Sequence, residues 1–294
     1  VWGNAHDTRR LVEAHRAFAR AATLAPHHAT LYTAWGMVDL EGGRFDMAAD
    51  RFGRAVALDE TDGYAFLHLG DAEFARGYVL EALGMNLDLD PELVEEAVTD
   101  IGVGFLFAPK YHGAMRFAAA ARKDVAIRSI FNMLGPLTNP AAANCQVLGV
   151  YAPELTEMFA RALQKLGSRR VFVVHGHDGL DEISVCAPTR ISELNDGLIQ
   201  TYDISPEQFF GECADPEALI GGNPAENADI TLRILDGEKG PRRDVVLINS
   251  AAALVAAGKA EKLADGIPLA EYAIDSGAAR DKLEALIAFT RENA

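Results

Sequence analysis

Apolar positions in this chain follow two different periods, and the change between them falls near residue 79. Before it, Phe18, Ala21 and Leu24 recur as Phe52, Ala55 and Leu58, 34 residues further on. Tyr32 recurs as Phe66, Trp35-Gly36 as Leu69-Gly70, Leu40 as Phe74 and Gly43 as Gly77. A repeat of that length is a helix hairpin that cannot bury its apolar face alone, so neighbouring hairpins stack. Beyond residue 79 short β-rich runs alternate with helical patterns. Residues 147–151, 170–174, 183–187 and 199–203 read as strands. Residues 91–107, 154–166, 226–235, 245–258, 268–275 and 278–290 read as helices, the first of them with Asp90 as N-cap. Strand–helix alternation of this kind predicts an α/β sheet with flanking helices.

The 34-residue period, the small residue at the helix crossing and Pro26 at a junction resemble the tetratricopeptide repeat. One complete unit, about 29–62, is flanked by the end of one repeat and the first helix of another. The organisation expected is therefore an all-α helix-hairpin segment over 1–78 followed by an α/β domain over 79–294. Composition changes at the same place: no Lys occurs before residue 79, where every basic residue is Arg.

Composition otherwise narrows the function classes. The charged fraction of 24% and the apolar fraction of 49% are ordinary for a globular chain. A formal charge of −16 argues against a nucleic-acid surface, which needs clustered cations. It leaves room for one anionic small ligand held by a metal ion or a few local cations. Cys145, Cys186 and Cys213 show neither metal-ligand spacing nor a pairing pattern, which fits reduced cytoplasmic thiols. The longest apolar stretch, 245–258, is too short for a membrane span and contains Asn249 and Ser250.

Three segments carry candidate chemistry. Residues 174–184 combine a strand end with a Gly-punctuated loop bearing Asp178, Asp181 and Glu182. Adjacent carboxylates at the end of an α/β strand suit Mg²⁺, which takes oxygen ligands and is commonly shared with substrate phosphates. A solvated acidic loop would read the same way, and His175 and His177 fit structural roles better than metal ligation. Residues 127–140 include Arg128, whose planar fork could clamp a carboxylate or form an ordinary salt bridge, and Gly135-Pro136, a rigid turn or hinge. In residues 102–116, Tyr111 and His112 follow Pro109 and could line a pocket or simply pack.

Together these segments resemble the anthranilate phosphoribosyltransferase family. The likeness begins at 80–90 around Gly84-Met85-Asn86 and continues through 222–227 and 249–254 to the C-terminus. The resemblance implies a phosphoribosyltransferase-like α/β fold and transfer of phosphoribosyl from phosphoribosyl pyrophosphate to the amine of anthranilate, in tryptophan biosynthesis. It implies that Arg128 binds the anthranilate carboxylate and that Asp181 and Glu182 hold Mg²⁺ on the pyrophosphate. Tyr111, His112, Gly135 and Pro136 would line or hinge the anthranilate channel. No protein nucleophile is implied, so positioning and electrostatics carry the reaction.

Family members also carry a Gly-Thr-Gly-Gly-Asp loop, a Lys-His-Gly-Asn stretch and a Ser-rich loop, and none of these occurs in the 294 residues. Weak binding of phosphoribosyl pyrophosphate and an incomplete sheet are the corresponding expectations. Three readings stand side by side: a transferase completed by a partner chain that supplies the loops, an interaction module that recruits a protein or peptide beside an inactive transferase remnant, and a joined reading frame without selected function.

Overall fold

The computed structural model describes residues 5–41, 45–58, 79–111, 135 and 137–293. Helices α1 (Ala5–Leu24), α2 (Ala29–Glu41) and α3 (Phe45–Leu58) come first. Trp35 is the centre of their core: it stacks on Phe18 at 5.9 Å and on Tyr32 at 6.5 Å. Helices α2 and α3 approach closely because Gly36 has no side chain; a Cβ there would lie 2.8 Å from the Phe52 ring. Leu24, one of the periodic positions, instead stands 87% exposed. Gly43, Phe66, Leu69, Gly70, Phe74 and Gly77 lie outside the described residues.

Among the described residues the second part holds a four-stranded sheet with helices on both faces, in the order β1 (Cys145–Gly149), β2 (Arg170–Gly176), β3 (Thr189–Asn195), β4 (Leu198–Ile204). Strand β1 pairs parallel to β2; the β2–β3 and β3–β4 pairs are antiparallel. Period-2 alternation along β2 sends Phe172 and Val174 to one face and Val171 and Val173 to the other. The first face packs on Ile248, Ala252 and Val255 of α9 (Pro241–Ala256). The second packs on Phe159, Ala160 and Leu163 of α6 (Leu155–Lys165). Burial on both faces makes β2 a continuous apolar run, which is why its sequence is so readable.

Helix α4 (Pro91–Asp100) is shorter than the predicted 91–107. Gly102, with φ of 88°, closes it with N–H bonds back to Ala97 and Val98 carbonyls. The short α5 (Ala108–Tyr111) follows, and α7 (Glu207–Phe210) comes after β4. A 3₁₀ turn at Pro216–Leu219 and helix α8 (Pro224–Leu235) lead to α9, then α10 (Leu263–Asp275) and α11 (Ala278–Glu292). Helix α11 packs Leu286 on Met85, Leu87 and Ala97, and Thr290 Oγ1 accepts from the Asn86 N–H at 3.1 Å.

One predicted strand is wrong. Residues 183–187 are not a strand; they form a loop fastened by Ser184, and the strand begins after Pro188. The hydroxyl of Ser184 donates to Asp178 Oδ2 and accepts from the Cys186 and Ala187 N–H groups, while Ile183 bonds the Asn249 amide, so the backbone there joins no ladder.

Candidate active site

The loop after β2 carries the acidic cluster, and three local features shape it. The Gly176 N–H donates to the Leu180 carbonyl at 2.8 Å, and Gly179 turns the chain with φ of 99°. Asp178 is absorbed by the loop itself: Oδ2 accepts from Ser184 at 2.6 Å and Oδ1 from the Leu180 N–H at 3.3 Å. Strand β1 ends on Gly149 because the Asp181 carbonyl sits where a side chain would be; a Cβ would fall 1.6 Å from that oxygen.

From α9, Asn249 reaches the same loop. Its Oδ1 accepts from the Ile183 N–H and its Nδ2 donates to the Ile183 carbonyl, both at 2.9 Å. Beneath the loop, buried His175 donates from Nδ1 to the Val150 carbonyl at 2.7 Å. Burial holds the imidazole pKa below its usual value, which keeps His175 neutral.

Asp181 and Glu182 face a cavity of about 380 Å³ at the seam between α3 and the α/β domain. Met47 and Arg51 line it from α3, and Leu219, Gly221, Asn227 and Arg242 line it from the opposite wall. Arg51 stacks on Trp35, with the guanidinium carbon 3.9 Å from the ring centroid, and reaches the Asp178 carbonyl at 3.5 Å. Arg242 is committed to the 3₁₀ turn through the Ala218 and Ile220 carbonyls. Cys186 also lines the cavity; burial, reinforced by Asp178 and Asp215, pushes its thiol up to about 12.

Helix α8 starts at this cavity, but its N-terminal donors are already used. Gly222 donates to Asn227 Oδ1, Asn223 to Glu226, and Ala225 and Glu226 to Asn223 in a capping box. The N–H groups that open α8 therefore offer no free cradle for phosphate.

Of the residues singled out from sequence, the structure brings Asp181 and Glu182 together on the cavity. Tyr111 ends α5 elsewhere, with its hydroxyl buried and without a hydrogen-bond partner, and burial raises its pKa. Gly135 is described in a helical turn and does not line the cavity. Arg128, His112 and Pro136 lie outside the described residues. Among the described residues no group of three or more His, Cys, Asp or Glu side chains is gathered for a metal ion. Two adjacent carboxylates nonetheless suit Mg²⁺, which keeps several waters and completes its shell with substrate phosphates. Asn249 and Asn227 were missed as loop-holding residues. For Asn249 the available signal was a polar amide inside an apolar helical run.

The sequence matches the model of the family described as "Glycosyl transferase family, a/b domain" over residues 77–280. It is 69% identical over 216 residues to anthranilate phosphoribosyltransferase of Desulfosudis oleivorans, covering 73% of this chain and 64% of that protein. Against the enzyme of the same name from Syntrophobacter fumaroxidans identity is 66% over 215 residues, with the same coverage of 73% and 64%. The chain thus spans a little under two thirds of the length of these curated relatives. The crystal structure of anthranilate phosphoribosyltransferase from Thermus thermophilus superposes with a TM-score of 0.69 at 32% identity, covering 90% of this chain and 96% of that one. The Saccharomyces cerevisiae enzyme in complex with PRPP and Mg has the same fold, with a TM-score of 0.68, 21% identity and coverage of 90% and 93%.

Proposed function

Because the chain belongs to the glycosyl transferase family through its α/β domain, we propose that the cavity over Asp181 and Glu182 serves phosphoribosyl transfer from phosphoribosyl pyrophosphate to anthranilate. The observation that carries this reading is the carboxylate pair, held on a built loop and turned to a cavity of about 380 Å³. In the transfer the bond from the anomeric carbon to the pyrophosphate oxygen breaks, its electron pair leaves with pyrophosphate, and the anthranilate nitrogen forms the new bond and loses a proton. Mg²⁺ bound by Asp181 and Glu182 would offset charge on the leaving group. The rest of the work is positioning: the loop presents the two carboxylates, and the apolar wall around Leu219 limits water.

The acceptor side rests on the family resemblance. Arg128 would take the anthranilate carboxylate, with Tyr111, His112, Gly135 and Pro136 along its channel. On the donor side, the sequence offers no Gly-Thr-Gly-Gly-Asp loop, and the N–H groups opening α8 are already bonded. We therefore assign this chain the metal-holding and acceptor-holding share of the site, with weak affinity for phosphoribosyl pyrophosphate by itself. Isothermal titration in the presence of Mg²⁺ tests this. Affinity weaker than about 1 mM fits the assignment; micromolar binding would be about 4 kcal/mol tighter. Micromolar affinity would sink it.

We read residues 1–78 as a helix-hairpin repeat segment joined to the domain near residue 79. The close α2–α3 crossing at Gly36 supports a hairpin, and the seating of Arg51 over the Asp178 carbonyl favours a segment that borders the site. A protein or peptide partner for that segment would engage a surface other than the cavity wall. The free thiols fit a cytoplasmic setting, and among the described residues no helix is long and apolar enough to cross a membrane.

A further inference from the structure

We propose that Asn249 is a positioning residue for the metal-binding pair, acting through the backbone of Ile183; the inference rests on the reading of Asp181 and Glu182 as the Mg²⁺ carboxylates. Ile183 directly follows Glu182, and its side chain is buried at 1% exposure in the core between the sheet and α9. Its backbone N–H and C=O join no strand; both are bonded to the one amide of Asn249, each at 2.9 Å. A single side chain thus replaces the neighbouring strand that would otherwise fix this stretch. The orientation of the amide is dictated by its partners, because an N–H can only donate and a carbonyl only accept.

The same amide also donates to the Val245 carbonyl at 2.9 Å, one turn back in α9. Asn249 is consequently locked to its own helix while it grips the loop. Two further contacts complete the arrangement. The Asp181 carbonyl is seated against Gly149 at the end of β1, where no side chain fits. Ser184 ties the far side of the loop to Asp178 and donates its own N–H to Thr189 Oγ1 at 2.9 Å. Glu182 is bracketed between two backbone anchors, Asp181 on β1 and Ile183 on α9. Of these, only the Ile183 anchor depends on a removable side-chain amide. Nothing in helix formation requires Asn at position 249, where Ala or Leu would favour the helix more.

The test compares Mn²⁺ binding, followed by electron paramagnetic resonance, with hydrogen exchange at residues 178–184. It uses the full chain and the variants N249A, N249S and D181A/E182A. Serine at this position keeps a hydroxyl bond to the Val245 carbonyl, so N249S removes the grip on Ile183 while leaving the helix its back-bond. The expected result is Mn²⁺ affinity about tenfold weaker in N249A and N249S, with no binding in D181A/E182A, since groups that orient metal ligands typically carry 10–100-fold in affinity. Exchange over 178–184 should rise in the same two variants, with the β2 and α9 cores unchanged. If N249S binds Mn²⁺ as tightly as the parent chain and shows parent-like exchange, the proposal is overturned. If the parent chain binds no Mn²⁺, or D181A/E182A binds it equally, the metal reading fails instead; unchanged exchange in N249S would then overturn the positioning role as well.

Discussion

Single residues set the conditions under which this site can work. His175 is buried and donates to the Val150 carbonyl, and burial lowers its pKa. The unfolded chain takes up that proton at about pH 6.5, whereas the folded chain resists it to lower pH. Stability from this group is complete above that value and declines as pH falls through the folded pKa. Thermal melts should therefore lose midpoint as pH falls below about 6.5, and H175Q, which keeps a donor, should flatten the decline. Cys186 runs the other way. With burial pushing its thiol up to about 12 from an ordinary 9.0, the folded protein holds about a thousandfold less thiolate at pH 8 than an unshifted cysteine. A disulfide reagent at pH 8 should modify Cys186 only on unfolding. Fast labelling of Cys186 in the native chain would contradict the raised pKa that burial gives its thiol. Residue-level chemistry was the least legible part of the sequence. The Asp-Glu pair stood out as a dipeptide, while Asn249 looked like a polar interruption of an apolar helix.

At the scale of elements, legibility followed burial. Strand β2 and helix α6 were readable because each has one repeated face or two buried ones. Strand β3 was misplaced because its buried positions include Thr189 and Ser192, which no apolar pattern reveals. The better signal lay just beyond it: Asp196 and Gly197, with φ of 43° and 90°, form the tight hairpin turn to β4, and an Asp-Gly pair between two runs is the usual mark of such a turn. The end of β1 offers a sharp check on how the loop is seated. Replacing Gly149 by Ala puts a methyl group on the Asp181 carbonyl. The expected cost is about 1–3 kcal/mol by thermal melting, the usual range for an overpacked site, together with weaker Mn²⁺ binding. An unchanged melt would mean the loop is not anchored there. On the sheet edge, Arg190 donates to Asp203 at 2.8 and 3.1 Å, and together with His177 holds that carboxyl below its usual range. Because the folded pKa is depressed, the pair stabilises above about pH 4 and its contribution vanishes as pH falls further. The pair is well exposed, so R190A should cost no more than about 1 kcal/mol at neutral pH.

At the scale of the whole molecule, the cavity lies where α3 meets the loop after β2. The packing of α3 against that loop was not visible in the sequence. Nothing in a 34-residue repeat announces that Arg51 stacks on Trp35 and lies over the loop of Asp178. The identity of the second part was legible because several long segments agree in order, which no single motif could have supplied. The central claim is that this chain holds the metal and the acceptor without an adequate grip on the donor. A coupled assay for phosphoribosyl-anthranilate, with purified chain, anthranilate, phosphoribosyl pyrophosphate and Mg²⁺, addresses it most directly. The account expects no turnover from a chain whose circular dichroism shows the fold intact. Turnover that disappears in D181A/E182A would contradict it, and would mean that the helical segment supplies the donor contacts itself.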